Sequence, residues 1–151
     1  MKQLLIIYHS QTGNTEKLAY AALVGAQQEE DTYTRIIPAF DATLEHLRQC
    51  DGILFGSAEN FGYMSGAIKD FFDRTYYPAQ AYQLNLPYAI FISASNDGSN
   101  AVRQMDRILS GYPMRSVLAP VIIRGEINQE GVDRAHELGH GFAAGLALGI
   151  F

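Results

Sequence analysis

A polar segment with the sequence SQTGNT occupies positions Ser10–Thr15, between the apolar run Leu4–Tyr8 and a helical pattern. It combines hydroxyl and amide side chains with a glycine, and it adds the free backbone N–H groups of a helix amino terminus. Such a terminus carries partial positive charge and binds phosphate groups. Because the segment holds no lysine or arginine, it predicts phosphate binding by neutral donors. The alternative is a plain polar turn in which Thr12 or Thr15 caps the helix.

A second constellation is the segment HELGH at positions 136–140, which has the HExxH spacing. Two histidines four positions apart on a helix can bind zinc, with the glutamate as base. The common arrangements need a third ligand downstream, and residues 141–151 contain no His, Asp, Glu or Cys. On a helical wheel His136 and His140 flank the apolar stripe, and Glu137 points away from it. A zinc hydrolase is therefore a distant alternative to incidental histidines on a helix surface.

The elements that must position these residues alternate along the chain. Short apolar or β-branched runs predict five strands, at Leu4–Tyr8, Thr32–Ile37, Gly52–Ser57, Tyr88–Ser95 and Val117–Ile123. Helical patterns predict five helices: Asn14–Ala26, one capped by Asp41 and ending at Cys50, one capped by Ser65 and ending near Pro78, Gly98–Gly111, and Gly131 to about Leu148. This order predicts a parallel sheet with helices on both faces, in a single α/β domain over residues 1–151. A proline at position 120 makes the fifth strand an edge or irregular strand.

Composition excludes several classes of protein. The chain has 151 residues, of which 48% are hydrophobic and 18% charged, and this composition is typical of one globular domain. A formal charge of −5 argues against a nucleic-acid partner. The longest apolar run, Gly141–Phe151, is too short for a membrane span. The single cysteine, Cys50, is expected to be a small buried hydrophobe in a reducing compartment, so we expect a cytoplasmic protein.

Three segments together resemble a known family. SQTGNT after the strand LLIIY resembles the phosphate loop of flavodoxin-like FMN proteins. GSAENFGYMSGAIKDFFDRT resembles the second flavin loop of the branch that includes NAD(P)H-dependent FMN oxidoreductases and quinone reductases, and APVIIRGE followed by a helix with HELG is similar to the same branch. The resemblance covers nearly the whole chain. It implies a flavodoxin-like three-layer α/β/α sandwich with a five-stranded parallel sheet in the order 2-1-3-4-5, binding FMN non-covalently.

The resemblance also implies which residues hold the cofactor. The ribityl phosphate would be held by Ser10, Gln11, Thr12, Gly13, Asn14 and Thr15. The isoalloxazine ring would be lined by Ala58, Glu59, Asn60, Phe61, Gly62 and Tyr63. The third loop beside the ring would consist of Ala94, Ser95, Asn96, Asp97 and Gly98. Two alternatives stay open: the two aromatic residues could simply pack on the domain, and Asn96 and Asp97 could cap a helix. No acid–base catalyst and no metal site is predicted.

Two departures from the family pattern concern the ring. Members often carry Pro-Thr-like residues around the position of Glu59, and a carboxylate pointing inward there would disfavour an anionic reduced ring. The chain also lacks tryptophan, which many flavodoxins stack on the ring. Phe61, Tyr63 or Tyr82 would have to take that role.

The resemblance favours an oxidoreductase that passes electrons from NAD(P)H through FMN to a quinone or another small acceptor. The alternative is a flavodoxin-type electron carrier that docks with a redox partner protein and has no substrate of its own. The apolar tail predicts either a homodimer contact through Leu148, Ile150 and Phe151 or a tail that folds back on its own domain.

Overall fold

The apolar runs form one parallel sheet in the computed structural model, which describes residues 1–151. The strands are β1 (Lys2–Tyr8), β2 (Thr32–Pro38), β3 (Gly52–Ala58), β4 (Pro87–Ala94), β5 (Arg115–Ser116) and β6 (Val121–Arg124). The helices are α1 (Asn14–Ala26), α2 (Leu44–Gln49), α3 (Gly66–Ala79), α4 (Ser99–Leu109) and α5 (Gln129–Ala147). The strand order is β2-β1-β3-β4-β5, and β6 also pairs with β4. The predicted order is therefore confirmed.

The fifth strand is divided in two. Its first part, β5, pairs with the start of β4, and its second part, β6, pairs with the end of β4. Pro120 lies between the two parts and has no N–H to donate to a ladder. The prediction of one strand over Val117–Ile123 is therefore wrong in its bounds, although its irregular character is confirmed.

The start of α2 also differs from the prediction. Ala39–Asp41 form a short 3₁₀ turn, and Thr43 is the residue that caps α2. The Thr43 side chain and His46 form a reciprocal capping box, in which the Thr43 N–H donates to His46 Nδ1 at 3.0 Å. The expectation that Asp41 caps this helix is thus wrong, because the 3₁₀ turn moves the helix start past it. By contrast, Ser65 does cap α3, since its hydroxyl accepts from the Ile68 N–H at 3.4 Å.

One face of the sheet is covered by α1 and α5, which approach each other closely through glycines. A Cβ atom added to Gly139 of α5 would lie 1.9 Å from the carbonyl oxygen of Ala22 in α1. A Cβ atom added to Gly25 of α1 would lie 2.0 Å from the carbonyl oxygen of His136. Backbone therefore contacts backbone where these helices cross, and no larger residue fits at either glycine.

The opposite face is covered by α3 and α4, and its core is rich in aromatic rings. Phe55, Phe71, Phe72 and Tyr112 are almost completely buried there, with neighbouring ring centroids 5.6 to 6.4 Å apart. Aromatic pairs prefer tilted or edge-on contacts at such distances. The sheet is thus enclosed on both faces, which explains the continuous apolar character of its central strands.

The C-terminal tail folds back on its own domain. The ring of Phe151 lies 5.3 Å from that of Phe142, measured between centroids, and it covers Gly145. Leu148 and Ile150 remain largely exposed, and a homodimer through them stays a prediction. None of the helices combines the length and apolarity that a lipid bilayer requires of a spanning segment.

Candidate functional site

A cavity of about 450 Å³ opens at the carboxyl ends of β1, β3 and β4. Tyr8, at the end of β1, pairs with Pro38 of β2 on one side and with Gly56 of β3 on the other. The strand order therefore reverses at β1, and open parallel sheets bind ligands at such a switch point. The cavity is lined by Ser10, Gln11, Thr12, Asn14, Thr15, Ala58, Glu59, Asn60, Ser93, Ala94, Ser95, Gly125 and Glu126.

The first loop presents the amino end of α1 to this cavity. Gly13 makes the turn into the helix with a φ of 103°, a left-handed conformation that favours glycine. The Ser10 hydroxyl accepts a hydrogen bond from the Gly13 N–H at 3.0 Å and fixes the turn. The first intrahelical bond is Lys17 N–H to the Gly13 carbonyl. The N–H groups of Asn14 and Thr15 therefore have no intrahelical acceptor, as an anion site requires.

A buried hydroxyl pair closes the floor of the cavity. Thr15 Oγ1 and Ser93 Oγ are 2.7 Å apart, and they join the first turn of α1 to the end of β4. Thr15 is 1% exposed and Ser93 is 7% exposed. Because one hydroxyl of such a pair donates to the other, the second still has a proton to donate. The pair can therefore hold the helix in place and still offer one hydrogen bond to a ligand.

The second loop is a tight turn at the end of β3. Asn60 and Tyr63 exchange two backbone hydrogen bonds of 2.9 and 3.0 Å. The two residues between them, Phe61 and Gly62, have φ values of 54° and 71°. Positive φ at both central positions is typical of a two-residue hairpin turn and is uncommon for phenylalanine. The Phe61 ring is fully exposed, so the turn presents an aromatic ring to solvent beside the cavity.

The third loop is predicted as residues 94–98; Ala94 is the last residue of β4, and residues 95–98 are anchored to β6 and to the start of α4. The Arg124 guanidinium donates from Nε to the Asp97 carbonyl oxygen at 2.8 Å. The Asp97 carboxylate accepts from the N–H and the hydroxyl of Ser99. The Ser99 hydroxyl, helped by the positive charge of Arg124, lowers the pKa of Asp97 below its ordinary value. The Asp97 carboxylate therefore binds the first residue of α4 and Arg124, and it does not line the cavity.

The charge lining the cavity is negative. Glu59 and Glu126 are the charged side chains among its lining residues, and no lysine or arginine is present. Glu59 is half-buried, and its carboxylate accepts from the Gly98 N–H at 2.6 Å and from the Asn96 N–H at 3.3 Å. Any anion bound here must be held by neutral donors, as the first loop predicts.

Most of the predicted site residues meet at this cavity. Those that line it are Ser10, Gln11, Thr12, Asn14, Thr15, Ala58, Glu59, Asn60, Ala94 and Ser95. Those that lie beside it without lining it are Gly13, Phe61, Gly62, Tyr63, Asn96, Asp97 and Gly98. Their roles toward FMN stay predictions. Tyr82 lies elsewhere, with the Arg48 guanidinium 4.2 Å from its ring centroid.

Sequence reasoning missed three lining residues, Ser93, Gly125 and Glu126. Ser93 lies inside an apolar strand, and its role becomes visible only in the structure, where its hydroxyl pairs with that of Thr15. Gly125 and Glu126 follow β6, at the same edge of the sheet as the other three loops. The rule that ligands bind beyond strand carboxyl ends applies to this last strand too, so it could have found them.

The other candidate sites, which are the histidines of α5, Cys50 and a groove between α3 and α4, have less support than this cavity. His136 and His140 lie on α5 in a region where no three His, Cys, Asp or Glu side chains form a group that could hold a metal ion. Burial raises the pKa of the Cys50 thiol to about 12, so this thiol is not a ready nucleophile. A groove between α3 and α4 is similar in volume, but its Lys69 and Asp73 already pair at 2.7 Å and no strand end reaches it.

Comparisons with known proteins agree with this geometry. The family model described as NADPH-dependent FMN reductase matches residues 17–129. A flavodoxin of Aquifex aeolicus is 40% identical over 73 residues, which are 48% of this chain and 40% of that protein. An NAD(P)H dehydrogenase (quinone) of Archaeoglobus fulgidus is 33% identical over 99 residues, covering 50% of this chain and 52% of that protein. The chain thus spans about half the length of the curated relatives it matches.

Solved structures are similar over almost the whole chain. Flavodoxin 1 from Bacillus cereus superposes with a TM-score of 0.79 at 23% identity, covering 94% of this chain and 97% of that one. A flavodoxin from the domain Archaea gives a TM-score of 0.79 at 19% identity, covering 94% and 96%. These likenesses confirm the flavodoxin-like fold.

Proposed function

The chain belongs to the NADPH-dependent FMN reductase family, and on that premise we propose that it is an FMN-dependent oxidoreductase. It takes electrons from NAD(P)H and passes them to a quinone or another small acceptor. The observation that carries this proposal is the open amino end of α1 at the strand switch point, with a neutral donor loop around it. That combination suits the phosphomonoester group of a cofactor.

The residues present fit FMN. The first loop supplies the side chains of Thr12 and Asn14 and the free N–H groups of the first turn of α1 for the phosphate. Thr15 and Ser93 add a hydroxyl proton from below. The cavity of about 450 Å³ lies within the usual range of small-ligand sites. When bound, FMN supplies the ability to accept a hydride and to release electrons.

The protein's own contribution is position and electrostatics. Asn60 of the second loop lines the cavity together with Ala94 and Ser95, which lie at the end of β4 and in the third loop. The exposed ring of Phe61 lies at the rim, where it can cover a flat aromatic ligand. No side chain has to act as an acid or base, because hydride transfer to a flavin requires none.

The phosphate assignment is tested by Thr12→Val, which removes one hydroxyl and keeps the shape of the side chain. Hydrogen bonds to charged groups contribute about 1.5–3 kcal/mol, so the Kd for FMN should rise at least about tenfold. Fluorescence titration of FMN measures it. Thr34→Val is the matched control, since its hydroxyl lies on β2 without a hydrogen-bond partner. Equal affinity in the two variants would show that the first loop does not hold the phosphate.

The enzyme and the electron carrier are separated by stopped-flow reduction of the FMN-loaded protein. An enzyme is reduced rapidly by NADPH or NADH and reoxidised by a quinone over many turnovers. Slow bleaching of the flavin absorbance by both nucleotides would favour the carrier. A wild-type protein that retains no FMN in gel filtration would overturn the proposed function as a whole.

A further inference from the structure

Glu59 lines the cavity and joins the second loop to the third. Its backbone N–H donates to the Ser93 carbonyl oxygen at 2.8 Å, which fixes the base of the side chain beside β4. Its carboxylate accepts from Gly98 N–H at 2.6 Å and from Asn96 N–H at 3.3 Å. The bond from Gly98 has the short length of a strong charge-assisted hydrogen bond, and the longer bond from Asn96 is weaker. A residue of the second loop therefore holds two backbone amides of the third.

The position of this carboxylate has an electrostatic reason. Gly98 is the amino-terminal cap residue of α4, and it offers no side chain to its own helix. The first turn of α4 also lacks an acidic residue. An anion is stabilised at the positive end of a helix. Asp97 supplies one such anion at the Ser99 N–H, and Glu59 supplies a second at the Gly98 N–H from another loop, so the amino end of α4 and the Glu59 carboxylate stabilise each other.

A second contact binds the same two elements. Asn100 in α4 donates from Nδ2 to the Gly62 carbonyl oxygen at 2.6 Å, so the tip of the second loop is also tied to α4. Glu59 lines the cavity, whereas Asn96 and Gly98 do not. A ligand in the cavity thus meets the carboxylate on this side, and the amides behind it are already occupied.

We propose that Glu59 is a positioning residue that clamps the third loop against the second and places a negative charge against the bound cofactor, which weakens binding of reduced FMN relative to oxidised FMN. The inference rests on the proposed function, because it concerns the wall of the same site. Its two parts are measurable separately: the clamp in the flavin-free protein, and the charge in the FMN complex.

The clamp is tested by amide hydrogen exchange in the flavin-free protein. Glu59→Gln keeps one oxygen acceptor without the charge, and Glu59→Ala keeps none. Exchange at the Gly98 and Asn96 amides should be faster in Glu59→Gln than in the wild type and fastest in Glu59→Ala, where it should increase about tenfold or more. Glu126→Gln is the matched control, because it removes the other carboxylate of the cavity and no protein hydrogen bond. Unchanged exchange at both amides in Glu59→Ala would overturn the clamp.

The charge is tested by measuring the Kd of oxidised and of dithionite-reduced FMN under anaerobic conditions. In Glu59→Gln the ratio of reduced to oxidised Kd should fall about tenfold, equivalent to a two-electron potential about 30 mV more positive. An equal change in both constants would overturn the electrostatic role of Glu59. Absence of FMN binding to the wild-type protein would overturn the proposed function and this charge effect together, and the exchange result would still decide the clamp.

Discussion

The two faces of the sheet are packed by opposite means. Between α1 and α5 the helices touch through backbone, because Gly25 and Gly139 carry no side chain. On the other face, rings fill the space between the sheet and α3 and α4, and polar hydroxyls are buried with them. Substitutions on the first face are therefore limited by steric fit, since a single added carbon at either glycine would clash with the backbone of the other helix. Substitutions on the second face are limited by hydrogen bonding, since each buried hydroxyl needs a partner.

This difference extends to the candidate site. The face covered by α1 and α5, called here the glycine face, carries the first loop, because α1 begins there with its amino end at the cavity. The face covered by α3 and α4, called here the aromatic face, carries the second and third loops, which precede those helices. The hydroxyl pair of Thr15 and Ser93 crosses the sheet edge and joins the two. The glycine face therefore positions the loop proposed to bind phosphate, and the aromatic face positions the loops proposed to surround the ring.

The largest expected effect is that of Gly139→Ala. The added carbon would collide with the Ala22 carbonyl oxygen, and overpacking of this kind costs about 3 kcal/mol of unfolding free energy. Urea unfolding followed by circular dichroism measures the loss. Gly141→Ala in the same helix is the control, because nothing lies within 4 Å of its added Cβ. It should raise stability by up to about 1 kcal/mol through helix propensity. Similar stability of the two variants would contradict close contact between α1 and α5.

The next effect is alkaline destabilisation. Burial, assisted by Glu16, raises the pKa of Tyr8 to about 12. Burial likewise raises the pKa of Tyr88, with Asp106 adding to it, and raises that of Tyr112. Because the folded state disfavours ionised tyrosine, this contribution to stability is complete below the unfolded value of 10.0 and is lost as pH rises through about 12.

The two faces differ in how many of these tyrosines they hold. Tyr8 belongs to the glycine face, and Tyr88 and Tyr112 belong to the aromatic face. The double variant Tyr88→Phe, Tyr112→Phe should therefore flatten the alkaline loss of unfolding free energy more than Tyr8→Phe does. Urea midpoints taken at rising pH give the slopes. A steeper slope in the double variant would show that ionisation of Tyr8 dominates.

The smallest expected effect is that of Tyr112→Phe on its own at neutral pH. The Tyr112 hydroxyl lies 2.8 Å from Thr75 Oγ1, and Thr75 also donates to the Phe71 carbonyl oxygen. Thr75 keeps that second bond in the variant, so the loss should be about 1 kcal/mol. Tyr77→Phe is the control, because Tyr77 is exposed and the change should stay within about 0.5 kcal/mol. Thermal unfolding compares them, and equal values would mean that the buried hydroxyl contributes nothing.

Local patterns in the sequence were sufficient for the order of elements. Asn14–Ala26 is predicted with its observed bounds, because a glycine and a polar loop precede an amphipathic run. Short apolar runs between helices imply a parallel sheet wherever they occur. The first loop could be predicted for the same reason, since a helix amino terminus is an anion site on local grounds alone.

The family resemblance supplied the remaining loops and the strand order, which periodicity alone does not give. It also identified Glu59 as a departure from the family pattern. It could not say where the carboxylate points, because that depends on Asn96 and Gly98, which are far from it in the chain and close to it in space.

The sequence by itself determined the alternation of strands and helices and predicted the first loop as an anion site, because these depend on neighbours along the chain. Only the tertiary structure decided that Glu59 holds the third loop, that Ser93 and Glu126 line the cavity, and that Gly139 is a point of backbone contact. Each of these depends on residues brought together by the crossover connections, and no local pattern encodes such a meeting.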